Sequence, residues 1–498
     1  MTMWRQLLRT SMIRGIGSVG LVGTLLFSLL VTTAQAQTTV FCRLTPEAIA
    51  QKESLRRAAQ SGDSQAINQY KALIRQHGQA IQRCRQQTWP QQQALWIRLY
   101  PCDAKPGAIE QLLDQVVNWG YNTLYVETFY NGQVLLPAAE NTTPWPSVIR
   151  HPSHQQTDLL AAAIARGRER GLKVYSWMFA MNFGYSYAQR SDRQDALAMN
   201  GQGHTSLSAR ASADSVGSNE AFIDPYSPKA KQDYYHLTQA VLRRQPDGVL
   251  FDYIRYPRGE GGASIASRVQ DLWIYGPSSQ RALFNRATNQ GGQTLMYQFL
   301  RQGYLTDADI AAIDAYASTE GDVQWQGRSP SVSPTAPIAE RRNALQNELW
   351  RLSVAHAVQG VLDFLNEAVR PVQQRGIPAG AVFFPGANAS VNSGYDSRLQ
   401  PWERFPSNIE WHPMAYSICG DGSCVAAEVQ QVLAQSASPA QVKPVLAGGW
   451  GRSVQNHPPL EAQMATLHSV APYLQSVSHF AYSWQDPQSD NNRKFCNL

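Results

Sequence analysis

Between Ala94 and Ser483 the chain repeats one pattern eight times: a short apolar stretch of strand character, in most cases followed by a helical stretch. The strands are expected at Trp96–Tyr100, Thr123–Glu127, Lys173–Met178, Gly248–Tyr253, Ala379–Phe384, Ile409–Met414, Val442–Ala447 and His479–Ser483. Helices are expected at Pro106–Trp119, Asp158–Arg170, Pro228–Arg244, Ile338–Val369, Val425–Gln435 and Leu460–Leu474. Strands that alternate with helices must run parallel, and eight such units predict an α/β fold closed into a (β/α)8 barrel. The alternative, a doubly wound open sheet, lacks its usual mark, because no glycine-rich phosphate turn follows the first strand.

The segments outside this repeat divide the chain further. Arg5, Arg9 and Arg14 precede an apolar run from Ile16 to Val31 and then Ala34-Gln35-Ala36. This is the layout of a signal peptide over residues 1–36, cut near Ala36, which predicts a periplasmic or extracellular protein with no membrane span in the mature chain. An uncleaved anchor is the alternative, but the run is short and glycine-interrupted for a span of about 20 residues. Residues 37–90 read as a two-helix segment, with Thr45-Pro46-Glu47 as an N-cap and Ser61-Gly62-Asp63 as the break. The barrel occupies 91–498. Two loops on its C-terminal face are overlong, Met181–Phe222 and Arg258–Pro337; the second, residues 258–337, is expected to be an insertion forming a lid or rim, with helical pieces near Gln280–Leu300 and Asp307–Ala317.

Export gives the six cysteines a meaning, since an even number in an oxidising compartment suggests disulfides. Cys42 and Cys84 bracket the two-helix segment, and Cys419 and Cys424 flank a tight loop. Cys102 and Cys496 follow the first and last strands, which are neighbours in a closed barrel. None has zinc spacing, so neither a metal nor a cofactor is expected. The formal charge is +6, half of it in the leader, and no basic cluster with interleaved aromatics points to nucleic acid. Thirteen Trp and twenty-one Tyr in a chain only 16% charged suit stacking on neutral ligands such as sugars.

Side chains at the C-terminal ends of barrel strands converge on a pocket, and acids there are few. Asp252 is the sharpest candidate: a carboxylate in the apolar run Val249-Leu250-Phe251-Asp252 costs several kcal/mol unless compensated, and Arg255 is near enough to compensate it or to grip a ligand. The alternative is a structural ion pair between the two. Glu127 ends the second strand and is the candidate partner carboxylate, or else an acid serving the adjacent loop. Asp224, in Ile223-Asp224-Pro225, is a rim residue or a turn and cap residue. Trp177, Trp450 and Trp484 end strands three, seven and eight and are expected to stack on a sugar face. Asn182, His412 and Tyr416 are expected to bond sugar hydroxyls. Glu410 and Asp486 are reserve acids.

The motifs together resemble the glycosyl-hydrolase-like family 10. They are Gly120-Tyr121-Asn122-Thr123-Leu124-Tyr125-Val126-Glu127, Arg170-Gly171-Leu172-Lys173-Val174-Tyr175-Ser176-Trp177, Ile223-Asp224-Pro225, Phe251-Asp252-Tyr253-Ile254-Arg255-Tyr256-Pro257 and Pro413-Met414-Ala415-Tyr416. The resemblance implies a carbohydrate-active barrel with Asp252 as its catalytic acid. The chain departs from it at Thr128-Phe129-Tyr130, where the family often has Val-Arg-Pro, and at Glu127, where it tends toward an amide. The expected function is an exported glycoside hydrolase acting on a polysaccharide or cell-wall glycan. A non-catalytic glycan-binding barrel and an envelope scaffold are the alternatives.

Overall fold

The structure is a computed structural model that describes residues 41–209, 219–496 and 498. The expected signal peptide, residues 1–36, lies outside the described residues. Eight parallel strands close a barrel: β1 Gln92–Ile97, β2 Thr123–Tyr130, β3 Lys173–Phe179, β4 Gly248–Asp252, β5 Ala379–Phe383, β6 Glu410–Ala415, β7 Val445–Ala447 and β8 Ser476–Phe480. Closure is set by β1, which pairs with β2 on one side (Ile97 opposite Val126) and with β8 on the other (Gln92 opposite Ser476).

The expected fold therefore holds, with two strands starting early and a third, β7, shortened from Val442–Ala447 to Val445–Ala447, where Val442 keeps only a bridge to Trp411. β1 begins four residues earlier than its apolar signal, because Gln92 and Gln93 enter the sheet; the Gln92 side chain bonds Thr123 and receives Lys443. β8 begins three residues earlier, because Ser476 and Ser478 are strand residues, and Ser478 takes the Trp96 indole N–H at 2.9 Å. Polar residues at the closed end of the barrel thus hid two strand starts.

The barrel interior is filled from that end by rings. Trp96 meets Tyr125 at 4.8 Å and Trp177 at 4.9 Å between centroids, and Tyr125 meets Tyr175 at 5.4 Å. These rings fit because β4 and β5 carry glycine opposite them. A Cβ on Gly248 would lie 2.4 Å from the Tyr175 ring, and one on Gly380 2.9 Å from the His412 ring. Close packing of this kind leaves no room for a methyl group.

Helices α1 Pro46–Gln60 and α2 Ser64–Gln87 form the N-terminal hairpin, capped by Thr45 and Asp63 as their sequence requires. The hairpin lies against α3 Ala108–Asn118 and α4 Leu159–Glu169. Arg170 donates to Asp114 and Tyr70 in a buried cluster, and Gly78 packs directly on the Arg170 carbonyl. After β3 come α5 Pro228–Leu242 and, beyond β4, the insertion with α6 Pro277–Phe284, α7 Gln290–Gln302 and α8 Asp307–Glu320. The helical pieces expected near Gln280–Leu300 are α6 and α7, separated where Asn289 caps α7. The insertion packs on the long helix α9 Ile338–Gln373, and buries Trp273, Ile274 and Leu283 in the common core. The circuit ends with α10 Ser423–Leu433, α11 Leu460–Val470 and α12 Pro487–Lys494.

All three disulfides form: Cys42–Cys84, Cys102–Cys496 and Cys419–Cys424, with Cα separations of 5.6, 6.1 and 6.0 Å. Among the described residues no helix is long and apolar enough to cross a membrane.

Candidate active site

Asp252 is the last residue of β4 and is 6% exposed. Its Oδ2 accepts the Trp177 indole N–H at 3.1 Å, and its Oδ1 accepts the main-chain N–H of Tyr253 at 2.7 Å. Tyr253 sits at a φ of 55°, a left-handed conformation unusual for a bulky residue and of the strained kind found at functional sites. Burial pushes the Asp252 carboxyl up to about 6, against the opposing pull of the Tyr253 N–H, the Arg255 charge and the Trp177 N–H; the Glu127 charge adds to the rise.

Glu127 is 1% exposed and lies level with Trp177 in the β2–β3 register. Both its oxygens are held by Arg98, Oε2 by Nε and Oε1 by Nη2 at 3.0 Å, a two-pronged pair. Arg98 follows β1 and also covers the Tyr130 ring at 4.3 Å. Its side chain is 32% exposed, so it roofs the carboxylate. No local motif marks this residue; only the register of β1 against β2 brings it to Glu127.

Around these groups are rings. Phe480 ends β8 and stands 6.1 Å from Trp177, 5.9 Å from Tyr416 and 6.4 Å from Trp484. Tyr416 follows β6; burial, and then the Asp252 charge, raise its phenol far above the usual range. The residue after it, Ser417, is held from α10, where Glu428 accepts both its N–H and its hydroxyl. Arg255 is buried over the Tyr253 ring at 4.6 Å and donates to the Tyr256 carbonyl. Tyr253 in turn donates its hydroxyl to Glu220 at 3.0 Å. Phe480, Arg98 and Glu220 were not singled out from the sequence.

Other expected residues lie elsewhere. His412 is in the middle of β6, wholly buried inside the barrel and bonded to Glu410, so it does not follow the strand into the pocket. Glu410 starts β6, at the opposite end from Asp252. Burial pushes its carboxyl up, but His412 and the Lys443 charge outweigh this and bring it to about 2. Trp450 lies three residues beyond β7 and turns away from the pocket. Its indole N–H goes to Tyr121, and its ring packs on Phe41, Arg43 and His479.

Asp224 accepts the Tyr226 N–H on Oδ1 and the Ser279 N–H on Oδ2, which makes it a turn residue that also caps α6 of the insertion. Burial raises it to about 6 even so. Asn182 is buried and accepts from Gly184 and Ala221, pinning the loop after β3. Asp486 caps α12. Among the described residues no group of three or more His, Cys, Asp or Glu is arranged to hold a metal ion.

A closed parallel barrel gathers the side chains at the C-terminal ends of its strands into one pocket, and Asp252 is a buried carboxylate at that end. Residues 92–281, which carry Glu127, Trp177, Asp224 and Asp252, match the family model described as Glycosyl hydrolase-like 10, the family that the motifs resemble. No curated protein matches the chain. Among solved structures, the PgaB (BpsB) glycoside hydrolase domain from Bordetella bronchiseptica is 14% identical, covering 82% of this chain and 99% of its own, at a TM-score of 0.46. A GH18 chitinase from Pseudoalteromonas aurantia is 10% identical, covering 79% of this chain and 94% of its own, at 0.37. The GH20 exo beta-N-acetylglucosaminidase from Vibrio harveyi is 9% identical, covering 81% of this chain and 52% of its own, at 0.40.

Proposed function

We propose that this chain is an exported glycoside hydrolase acting on a polysaccharide or cell-wall glycan, with Asp252 as its central catalytic carboxylate. The observation that carries the reading is the setting of Asp252: a strand-end carboxylate held by two N–H donors and raised to about 6. Cleaving a glycosidic bond requires a proton on the leaving oxygen, and a carboxyl raised to about 6 still carries that proton in mildly acidic solution, where it is suited to supply it. Glu127 is the partner proposed to stabilise positive charge developing at the anomeric carbon, or to activate water. Trp177, Phe480, Tyr416 and Trp484 would offer apolar surface to the sugar, and Arg255 would order the loop beneath it. The proposed lid, residues 258–337, would border the pocket through α6, which Asp224 ties to the loop after β3. Export is supported by the leader motif and by three disulfides.

The Glu127–Arg98 pair favours a second reading, a glycan-binding barrel, because a carboxylate with both oxygens occupied is poorly placed to attack or to accept a proton. One experiment separates the two. The purified chain without residues 1–36 is screened against a panel of glycans and cell-wall fractions for binding and for reducing ends released, beside Asp252→Asn. Turnover lost in the variant with binding kept supports the hydrolase. Binding without turnover in both proteins supports the binding barrel and ends the catalytic assignment.

A further inference from the structure

We propose that Arg493, on the C-terminal helix α12, is a positioning residue for the candidate site, holding Arg98 and through it Glu127. The inference rests on the reading of Asp252 and Glu127 as that site. Arg493 lies far from Asp252 in sequence, and no motif includes it. Its Nε and Nη2 make a two-pronged pair with Asp103 at 2.8 and 2.7 Å, and the same Nη2 donates to the main-chain carbonyl of Arg98 at 2.8 Å. Its guanidinium lies between the Tyr100 and Tyr482 rings, 5.2 and 5.0 Å from their centroids. Asp103 is buried and accepts the Tyr100 N–H, and Asp490, one helical turn before Arg493, accepts the Tyr100 hydroxyl at 3.0 Å.

The segment that leaves β1 is therefore fixed at Arg98, Tyr100 and Asp103 by one helix. The Cys102–Cys496 disulfide fastens that helix to the same segment. At its head Arg98 turns its side chain onto Glu127. A guanidinium whose main chain is anchored keeps both prongs on the carboxylate without ordering a free loop each time.

The consequence reaches Asp252 through charge. Asp252 is faced by Trp177 from β3, Tyr253 and Arg255 from the end of its own strand, Glu127 from β2, Tyr234 from α5 and Tyr416 from beyond β6. Arg98 neutralises Glu127 at contact distance, so loosening Arg98 exposes Asp252 to a bare negative charge.

The test uses Arg493→Gln/Asp103→Asn, which removes both charges together, with Lys494→Gln as control. The first readout is independent of activity. The Trp177 indole N–H resonance, assigned with Trp177→Phe, is followed against pH, because that N–H touches Asp252 and reports its proton. The midpoint is expected to rise by about half a unit in the double variant, roughly a three-fold gain in proton affinity, and to stay in place in the control. On a confirmed glycan, kcat is expected to fall roughly 10- to 100-fold with KM changed less than about three-fold. Should the double variant fail to fold, Cys102→Ser/Cys496→Ser decides, since it loosens the fastening and keeps every charge; a rise in its midpoint supports the proposal. A midpoint equal to wild type in the folded variant overturns it. If wild type turns over no glycan, the hydrolase reading fails, and the Trp177 midpoint still decides the role of Arg493.

Discussion

Asp252→Asn should make the protein more stable at pH 7. The native state raises this carboxyl from 3.8 to about 6, chiefly by burial, so at pH 7 the fold carries an ionised group that the unfolded chain would hold more cheaply. The difference is roughly a hundred-fold in proton affinity, or about 3 kcal/mol. Asparagine removes the charge but keeps one acceptor oxygen, which satisfies either the Tyr253 N–H or the Trp177 indole N–H and leaves the other without a partner, at about 1 kcal/mol. The net gain at pH 7 is about 2 kcal/mol.

The sign reverses with acid. A raised carboxyl binds its proton more tightly in the folded state, so wild type recovers stability as pH falls through 6 toward 3.8, and by about pH 4 the advantage of the variant is gone. Urea unfolding followed by far-ultraviolet circular dichroism at pH 7 and pH 4 measures both arms. A variant less stable than wild type at pH 7, or a difference that does not change with pH, would refute the claim that Asp252 is kept at a cost to the fold.

Two further outcomes follow from the packing. Gly248→Ala should destabilise the barrel by about 2–4 kcal/mol, since its methyl would have to push back a Tyr175 ring already backed by Tyr125 and bonded to Glu410. Adding Tyr175→Leu should recover most of that loss in a double-mutant cycle, and additive losses would exclude the clash. Asp224→Ala should leave two main-chain N–H groups unpaired and open residues 258–337 to limited proteolysis before the barrel is cut. Cleavage no faster than in wild type would show that Asp224 does not secure the insertion.

The barrel could be read from the sequence because its strands are apolar and its helices begin at strong caps such as Asp158 and Ser227. Asp252 was readable for a related reason: a carboxylate at the end of an apolar strand contradicts its surroundings. Arg98 was not, because nothing local distinguishes it, and only the pairing of Ile97 with Val126 brings it to Glu127. His412 and Trp450 were misplaced by direction, not by boundaries. His412 lies inside the expected strand as well as the observed one, and its side chain is buried in the barrel beside Glu410; Trp450 follows the end of β7 where expected, but there the chain turns outward to the N-terminal segment. Asp224 carried both meanings in its sequence, and its two N–H partners put it in the turn and cap role.

The seam between β1 and β8 bears on how the molecule is made. A chain emerging in order can assemble seven strands, but it then carries two raw edges whose only native cover is the last strand to arrive. Such edges pair readily with other chains. Until Ser476–Phe480 is delivered, the nascent barrel is an open ribbon with β1 exposed at one side and β7 at the other. Loss of the final strand should therefore yield an aggregating product, and a version rejoined at its ends and reopened at a surface loop should escape that hazard only if its new termini leave this seam covalently continuous.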